Sequence, residues 1–154
     1  MGQYIGGLVG SIQNPVSNSY ATGNVCGEHV KWIGGLIGSA AGKGDITNSF
    51  ASGNVTGNSS VGGLVGYSYE KSIINSYAVG KVSGETLVGG LIGDGYFPSV
   101  VNSYWDIQIS EQPVSAGGNG KTTVEMMKKN TYQSWEFNKV WDIKEGTSYP
   151  TSRN

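Results

Sequence analysis

Apolar and polar positions along this chain recur in whole blocks. Gly-Gly-Leu-Val/Ile-Gly starts at Gly6, Gly34, Gly62 and Gly89, at spacings of 28, 28 and 27 residues. Asn-Ser-Tyr/Phe starts at Asn18, Asn48, Asn75 and Asn102, and Gly23-Asn24-Val25 returns as Gly53-Asn54-Val55 and Gly80-Lys81-Val82. The blocks keep their order, so the repeating unit is a structural coil rather than one motif. Runs such as Ile73-Ile74-Asn75-Ser76-Tyr77-Ala78, rich in β-branched and aromatic residues and bounded by glycine, read as strands. Each unit carries five or more glycines, and each would cost roughly 1 kcal/mol inside a helix, which rejects a helical solenoid. An eight-to-ten-strand sandwich gives no reason for the repeat. The pattern predicts an all-β protein: a β-solenoid (parallel β-helix) of about four 27–28-residue coils over residues 1–104. A small α+β C-terminal cap over 105–154 follows it.

Stacked coils lay like residues over like. Three apolar ladders should form the core: Leu8, Leu36, Leu64 and Leu91; Val16, Ile46, Ile73 and Val100; and Val25, Val55 and Val82. The glycine pairs fit either corners of positive φ or backbone approaches too close for a Cβ. The ladder Asn18, Asn48, Asn75, Asn102 reads as a left-handed corner, which asparagine tolerates well, or as a row of ligand-binding amides. A left-handed corner reverses the parity of the strand. Ser19, Ala21 and their copies then face inward, and Tyr20, Phe50, Tyr77 and Tyr104 face outward. Those four rings are the candidate ligand-binding residues, since aromatic platforms suit sugar rings and partner side chains. The competing reading is self-stacking that holds the coils in register, or, without the parity change, a place in the core.

Gly-Gly-Leu-Val-Gly followed by Ile-x-Asn-Ser-Tyr-Ala-x-Gly-x-Val resembles the GLUG repeat of large bacterial secreted and cell-surface proteins. Some of these are adhesin-like and others carry immunoglobulin-A-cleaving metallopeptidase domains elsewhere in the chain. The match runs from residue 5 to about 104. The segments Ser103-Tyr104-Trp105-Asp106, Ser115-Ala116-Gly117-Gly118 and Gly120-Lys121-Thr122-Thr123 resemble those that close such arrays. The resemblance implies an extracellular place, at the bacterial surface or secreted, and a spacer or adhesive role with host glycans or extracellular proteins as partners. The alternative it implies is an accessory segment of a larger secreted peptidase or glycan-degrading enzyme. It supplies no catalytic residue, because the chain has no His-Glu-x-x-His motif.

Composition shifts at Trp105. Of the 21 charged residues 12 lie in the last fifty positions, but only 4 of the 26 glycines do, so a different kind of structure begins there. Thr122-Thr123-Val124-Glu125 has capping-box spacing and predicts one short helix from about Thr123 to Asn130, with Lys128 and Lys129 in its last turn. Trp135, Phe137, Val140, Trp141 and Ile143 add a dense apolar run. A solenoid end exposes both core and strand edge, so 105–154 is expected to cover the fourth coil. An uncovered first coil invites end-to-end self-association.

The remaining chemistry is thin. A net charge of −1 lacks the basic footprint of a nucleic-acid binder, and 14% charged residues is low for a disordered polyelectrolyte. One histidine and one cysteine exclude a multi-His or multi-Cys metal site and an internal disulfide. No apolar run approaches the ~20 residues of a membrane helix, so no membrane insertion is expected. Met1 and Gly2 lead straight into repeat material, so the chain reads as lacking a signal peptide and as a piece of something longer.

Gly117-Gly118-Asn119-Gly120-Lys121-Thr122 mimics a phosphate loop, but Ser115 stands where the first glycine is needed and no apolar strand precedes it. Asp45 and Asp94 follow glycine as in calcium-binding turns, yet the other coils lack the acid. Asp45, Glu70, Glu85 and Asp94 do not stack as glycosidase carboxylates would. His29 reads as a surface-loop residue, and Cys26, in the place of Thr56 and Ser83, as a small, partly buried one. The expectation is therefore a non-enzyme with no catalytic residue, no metal and no cofactor.

Overall fold

The computed structural model describes residues 3–153. Met1 and Gly2, on which the reading of the N-terminal junction rests, lie outside them. The chain is an all-β parallel β-solenoid of about four coils with few helical turns. The first strands, Tyr4–Gly6, Trp32–Gly34, Ser59–Gly62 and Thr86–Gly89, stack into one sheet. Val9–Ile12, Ile37–Ala40, Val65–Tyr69 and Ile92–Tyr96 make the second. Val16–Ser17, Ile46–Thr47, Ser72–Ile74 and Ser99–Val101 make the third. Tyr20–Ala21, Phe50–Ala51, Tyr77–Ala78 and Tyr104–Asp106 lie in the fourth, and Val25–Gly27, Val55–Gly57 and Val82–Ser83 form the fifth. All of these strands pair in parallel, with the predicted ladders in register.

The asparagine corner is left-handed in every coil, with φ between 46° and 50° at Asn18, Asn48, Asn75 and Asn102. It reverses side-chain parity: Ser49, Ser76 and Ser103 are fully buried, and Ala51 and Ala78 face the core. The serines do more than fit. At the corner the backbone N–H of Ser49 meets the Ser76 hydroxyl of the next coil (3.2 Å), and the Ser76 N–H meets that of Ser103 (3.1 Å). Each hydroxyl in turn donates to the carbonyl two residues before it, as Ser76 does to Ile74 (2.9 Å). A buried donor that the corner would orphan is thereby satisfied.

Of the two readings of the glycine pairs, close approach holds. Gly6, Gly34, Gly62 and Gly89 do not have positive φ, but a Cβ on any of them would overlap the carbonyl oxygen of Val9, Ile37, Val65 or Ile92. From the second strands, a Cβ on Gly66 or Gly93 would stand 2.5 Å from the backbone nitrogen of Ile33 or Val61. The first and second strands therefore cross backbone on backbone, and the interior divides into two lobes. The leucine and Val16/Ile46/Ile73/Val100 ladders fill the larger. The Val25/Val55/Val82 ladder lies in the smaller with Ile33 and Val61. Leu8, in the first coil, departs from the expected core ladder: it is 50% exposed, whereas Leu36, Leu64 and Leu91 are fully buried.

At the other end the fold closes itself. Trp105 occupies the position held by Ala21, Ala51 and Ala78 in the coils before it, and its ring lies against Gly90, where a Cβ would collide with it. Residues 114–116 supply the next rung: Val114 O accepts from Gly90 N–H, Ser115 Oγ accepts from Ile92 N–H (2.8 Å), and Ala116 N–H donates to Ile92 O. Buried Asp106 caps a short helix, Ile107–Ser110, that the sequence reading missed. Asn119–Lys121 then pairs with Tyr104–Asp106 as a fifth rung of the fourth sheet.

From Thr122 the chain leaves the end and runs back over the fourth sheet, so only part of 105–154 covers the fourth coil. The capping box forms, with Thr122 and Glu125 bonded reciprocally, but the helix is Thr123–Met126 and stops four residues short of expectation. Lys128 is extended and Lys129 belongs to a separate 3-10 turn, Lys129–Thr131. The reason is local. The Thr131 and Tyr132 hydroxyls take the carbonyls of Glu125 and Met126 that another helical turn would have used. A two-stranded antiparallel ribbon, Trp141–Asp142 with Thr151–Ser152, completes the segment.

Candidate functional site

The four rings singled out from sequence do point away from the coil interior, as the parity change requires. Tyr20, Phe50 and Tyr77 stack with centroids 5.0 Å apart and planes within 6°. Their exposure corrects the expectation of a surface platform: Tyr20 is 50% exposed, but Phe50, Tyr77 and Tyr104 are 8%, 2% and 5%. The returning C-terminal segment covers them. Trp141 sits 6.0 Å from both Phe50 and Tyr77, Trp135 stacks on Trp141 at 4.5 Å, and Tyr132 meets Tyr104 edge-on at 5.5 Å. Met126 completes this second hydrophobic cluster.

Polar tips lock the cover in place. The Tyr77 hydroxyl donates to the Pro150 carbonyl, Tyr149 donates to Asp106 Oδ2 (2.8 Å), and Trp135 Nε1 donates to the Asn102 carbonyl (2.9 Å). Burial raises the pKa of Tyr77, Tyr132 and Tyr149 well above the ordinary phenol, and for Tyr149 the neighbouring Asp106 carboxylate raises it further. A ladder covered this way leaves ligand access only at Tyr20.

The sequence model of the GLUG motif matches residues 1–25, 33–56 and 57–83. The first three coils are GLUG repeats. The fourth continues the pattern from Gly89 to Tyr104. No curated protein and no solved structure gives a significant match to the chain.

In these GLUG coils the other motif residues are engaged in structure. Asn54 Oδ1 accepts from Lys81 N–H (3.0 Å) and Asn24 Oδ1 from Asn54 N–H (2.9 Å), a second amide ladder that ties coil to coil. Asp45 Oδ1 accepts from Ser72 N–H (3.2 Å), Asp94 Oδ1 from Gly95 N–H (2.8 Å), and Glu85 from the Asn58 amide (2.6 Å). Among the described residues no three His, Cys, Asp or Glu side chains are grouped to hold a metal. Cys26 is exposed rather than partly buried as expected, since it takes the outward position between buried Val25 and Gly27, in register with exposed Thr56. With His29 (φ 63°), Glu28 and Glu85 it lines a cavity of about 230 Å³ beside the fifth sheet.

Exposed aromatic residues occur instead on the first and second sheets, where sequence reasoning did not look. Tyr4, Trp32 and Tyr67 stack at 4.9 and 5.1 Å, with the Lys31 ammonium 5.0 Å over Trp32. Two residues after Tyr67 on the same strand, Tyr69 stacks on Tyr96 at 5.6 Å, and Phe97 packs on Tyr96 edge-on at 4.4 Å. Phe97 is 73% exposed and left-handed (φ 48°), a costly combination for an aromatic residue. Tyr67 pairs in register with Asp94, so the column of rings ends on a carboxylate. Tyr4 and Trp32, like Tyr69 and Tyr96, hold equivalent positions, but each pair spans only two coils, so a comparison that looks for residues repeated in every coil passes over this surface.

Proposed function

We propose that this GLUG module works outside a bacterial cell as a non-catalytic spacer that adheres to glycans or proteins of its surroundings. The observation that carries the adhesive part is the aromatic surface on which exposed Tyr4, Tyr69, Tyr96 and Phe97 lie beside half-buried Trp32 and Tyr67. Isolated exposed apolar residues are ordinary, but two stacked groups two residues apart along one strand, one of them ending in a strained, solvent-facing phenylalanine, are the kind of surface that marks an interaction site. Tyrosine and tryptophan also present rigid amphipathic area at low entropic cost. The spacer part is supported by the ladders, whose asparagines and serines are spent on coil-to-coil hydrogen bonds.

The test is a glycan and matrix-protein array probed with the chain and with a Tyr96→Ala/Phe97→Ala variant. Both residues are exposed, so the variant should keep the far-UV spectrum and melting temperature of the parent. A reproducible hit lost in the variant supports adhesion through this surface. A hit retained in the variant, or no hit at all, overturns it and leaves the spacer alone.

A further inference from the structure

The returning segment does not lie flush on the end of the fourth sheet. Between the outermost strand, Asn119–Lys121, and the 3-10 turn, Lys129–Thr131, it leaves a polar cleft of about 460 Å³. Buried Tyr104 forms its floor, Asn119 and Lys121 one wall, and Lys128, Asn130 and Gln133 the other. The cleft is built by the closing fold. In the register of the fourth sheet Asn119 follows Tyr104, so an amide stands where a fifth ring would be. This stretch is also the Gly-Gly-Asn-Gly-Lys-Thr motif. It holds no phosphate loop, because Glu125 already takes the Thr122 N–H (2.8 Å) at the helix start.

The electrostatics are lopsided. Lys121 and Lys128 both flank the Glu125 carboxylate, which lies below its usual pKa chiefly because it accepts the Thr122 hydrogen bonds. Neither lysine is in an ion pair among the described residues. Two ammonium groups against one engaged carboxylate leave the cleft positive in a chain of net charge −1. Besides Tyr104 and Thr131, whose hydroxyl is spent on the Glu125 carbonyl, its remaining side chains are the amides of Asn119, Asn130 and Gln133, each offering a donor and an acceptor as vicinal hydroxyls require. Ammonium groups answer an acid, and a bare phosphate would leave the amides unused.

We propose that this cleft binds an acidic sugar, one bearing a carboxylate or a sulfate among its hydroxyls. The site is separate from the aromatic surface and stands or falls independently of it. The full chain is titrated calorimetrically with hyaluronan oligosaccharides (carboxylate only), heparin oligosaccharides (carboxylate and sulfate), neutral cello-oligosaccharides and inorganic sulfate. Lys121→Gln/Lys128→Gln is compared with Lys43→Gln/Lys71→Gln, which removes the same charge elsewhere. The expected result is binding to at least one acidic oligosaccharide, with weaker binding to the neutral one and to sulfate alone. Affinity should fall about tenfold or more in the cleft variant and hold in the control, since each ammonium contributes a charge-assisted hydrogen bond. Equal loss in both variants, an unchanged cleft variant, equal affinity for sulfate alone, or no acidic binding overturns the proposal.

Discussion

The coils and the returning segment bury apolar surface in opposite ways. The coils repeat small and branched residues, Ala, Val, Ile and Leu, and the corner N–H groups of Ser19, Ser49 and Ser76 each meet the serine hydroxyl of the next coil. The returning segment repeats nothing: it packs Tyr132, Trp135 and Trp141 on one face of the fourth sheet and is held by single hydroxyl and indole bonds. The difference follows from geometry. A stacked coil fixes the same narrow space at each rung, so only residues of one size fit, and backbone contact sets the limit. An outward ladder has no such ceiling, and bulky rings from a distant part of the chain can cover it.

The sharpest break of that comparison is Gly62→Ala. The new Cβ would overlap Val65 O and stand 2.7 Å from Gly93 N, both backbone atoms in adjoining strands that cannot yield separately. A loss above about 4 kcal/mol, enough to abolish the cooperative melt, is expected for a clash of this kind. Gly23 is the matched control, since a Cβ there meets nothing within 4 Å and its φ is not positive. Gly23→Ala should change stability by less than about 1 kcal/mol, and toward the stable side. Far-UV melts of both variants read the outcome, and a Gly62→Ala protein that melts like its parent would refute the backbone-contact account of the two lobes.

Alkali should separate the two regions more gently. Tyr77, Tyr132 and Tyr149 have folded pKa values raised above the unfolded value of about 10. As pH rises past that value the unfolded chain loses these protons while the folded one keeps them. The stability they contribute, complete at lower pH, therefore falls as pH climbs toward the folded values. The cover and the rings beneath it should loosen there before the two interior lobes, which are filled by aliphatic residues and Trp105. Tyrosinate absorbance recorded with tryptophan emission should show a step from Tyr77, Tyr132 and Tyr149 above the ordinary phenol range, accompanied by a red shift. One step near pH 10 for all nine tyrosines, with emission unchanged, would contradict the sealed ladder.

What sequence could tell follows the same line. Wherever residue types repeat, the physics repeats, and the solenoid, the left-handed asparagines and the inward serines were legible from Asn18, Asn48, Asn75 and Asn102 alone. Repetition says nothing about partners drawn from outside the repeat. Trp135 and Trp141 were visible as an apolar run, but nothing in their spacing tells that they lie on Phe50 and Tyr77 rather than on the fourth coil's end. The glycine pairs stayed ambiguous because both explanations demand glycine, and only their φ angles and the nearness of the Val9, Ile37, Val65 and Ile92 carbonyl oxygens decide between them. Trp105 in the alanine position was a signal for the closure of the solenoid's end that the change in composition at the same residue obscured.

The smallest effect tests whether the serine ladder is hydrogen bonding or mere fit. Ser76 and Ser68 are both fully buried, and serine to alanine removes the same atom from each. The Ser76 hydroxyl accepts the Ser49 N–H and donates to the Ile74 carbonyl, whereas the Ser68 hydroxyl has no partner. Ser76→Ala leaves a buried backbone donor unsatisfied and should cost about 1–3 kcal/mol. Ser68→Ala strands nothing and relieves a buried hydroxyl of its missing partner, so it should be neutral or stabilising. Chemical denaturation of the two variants with equal m-values would give the difference directly. If both lost the same stability, the serines would be serving only as small residues, and the corner's N–H would have to find its acceptor elsewhere.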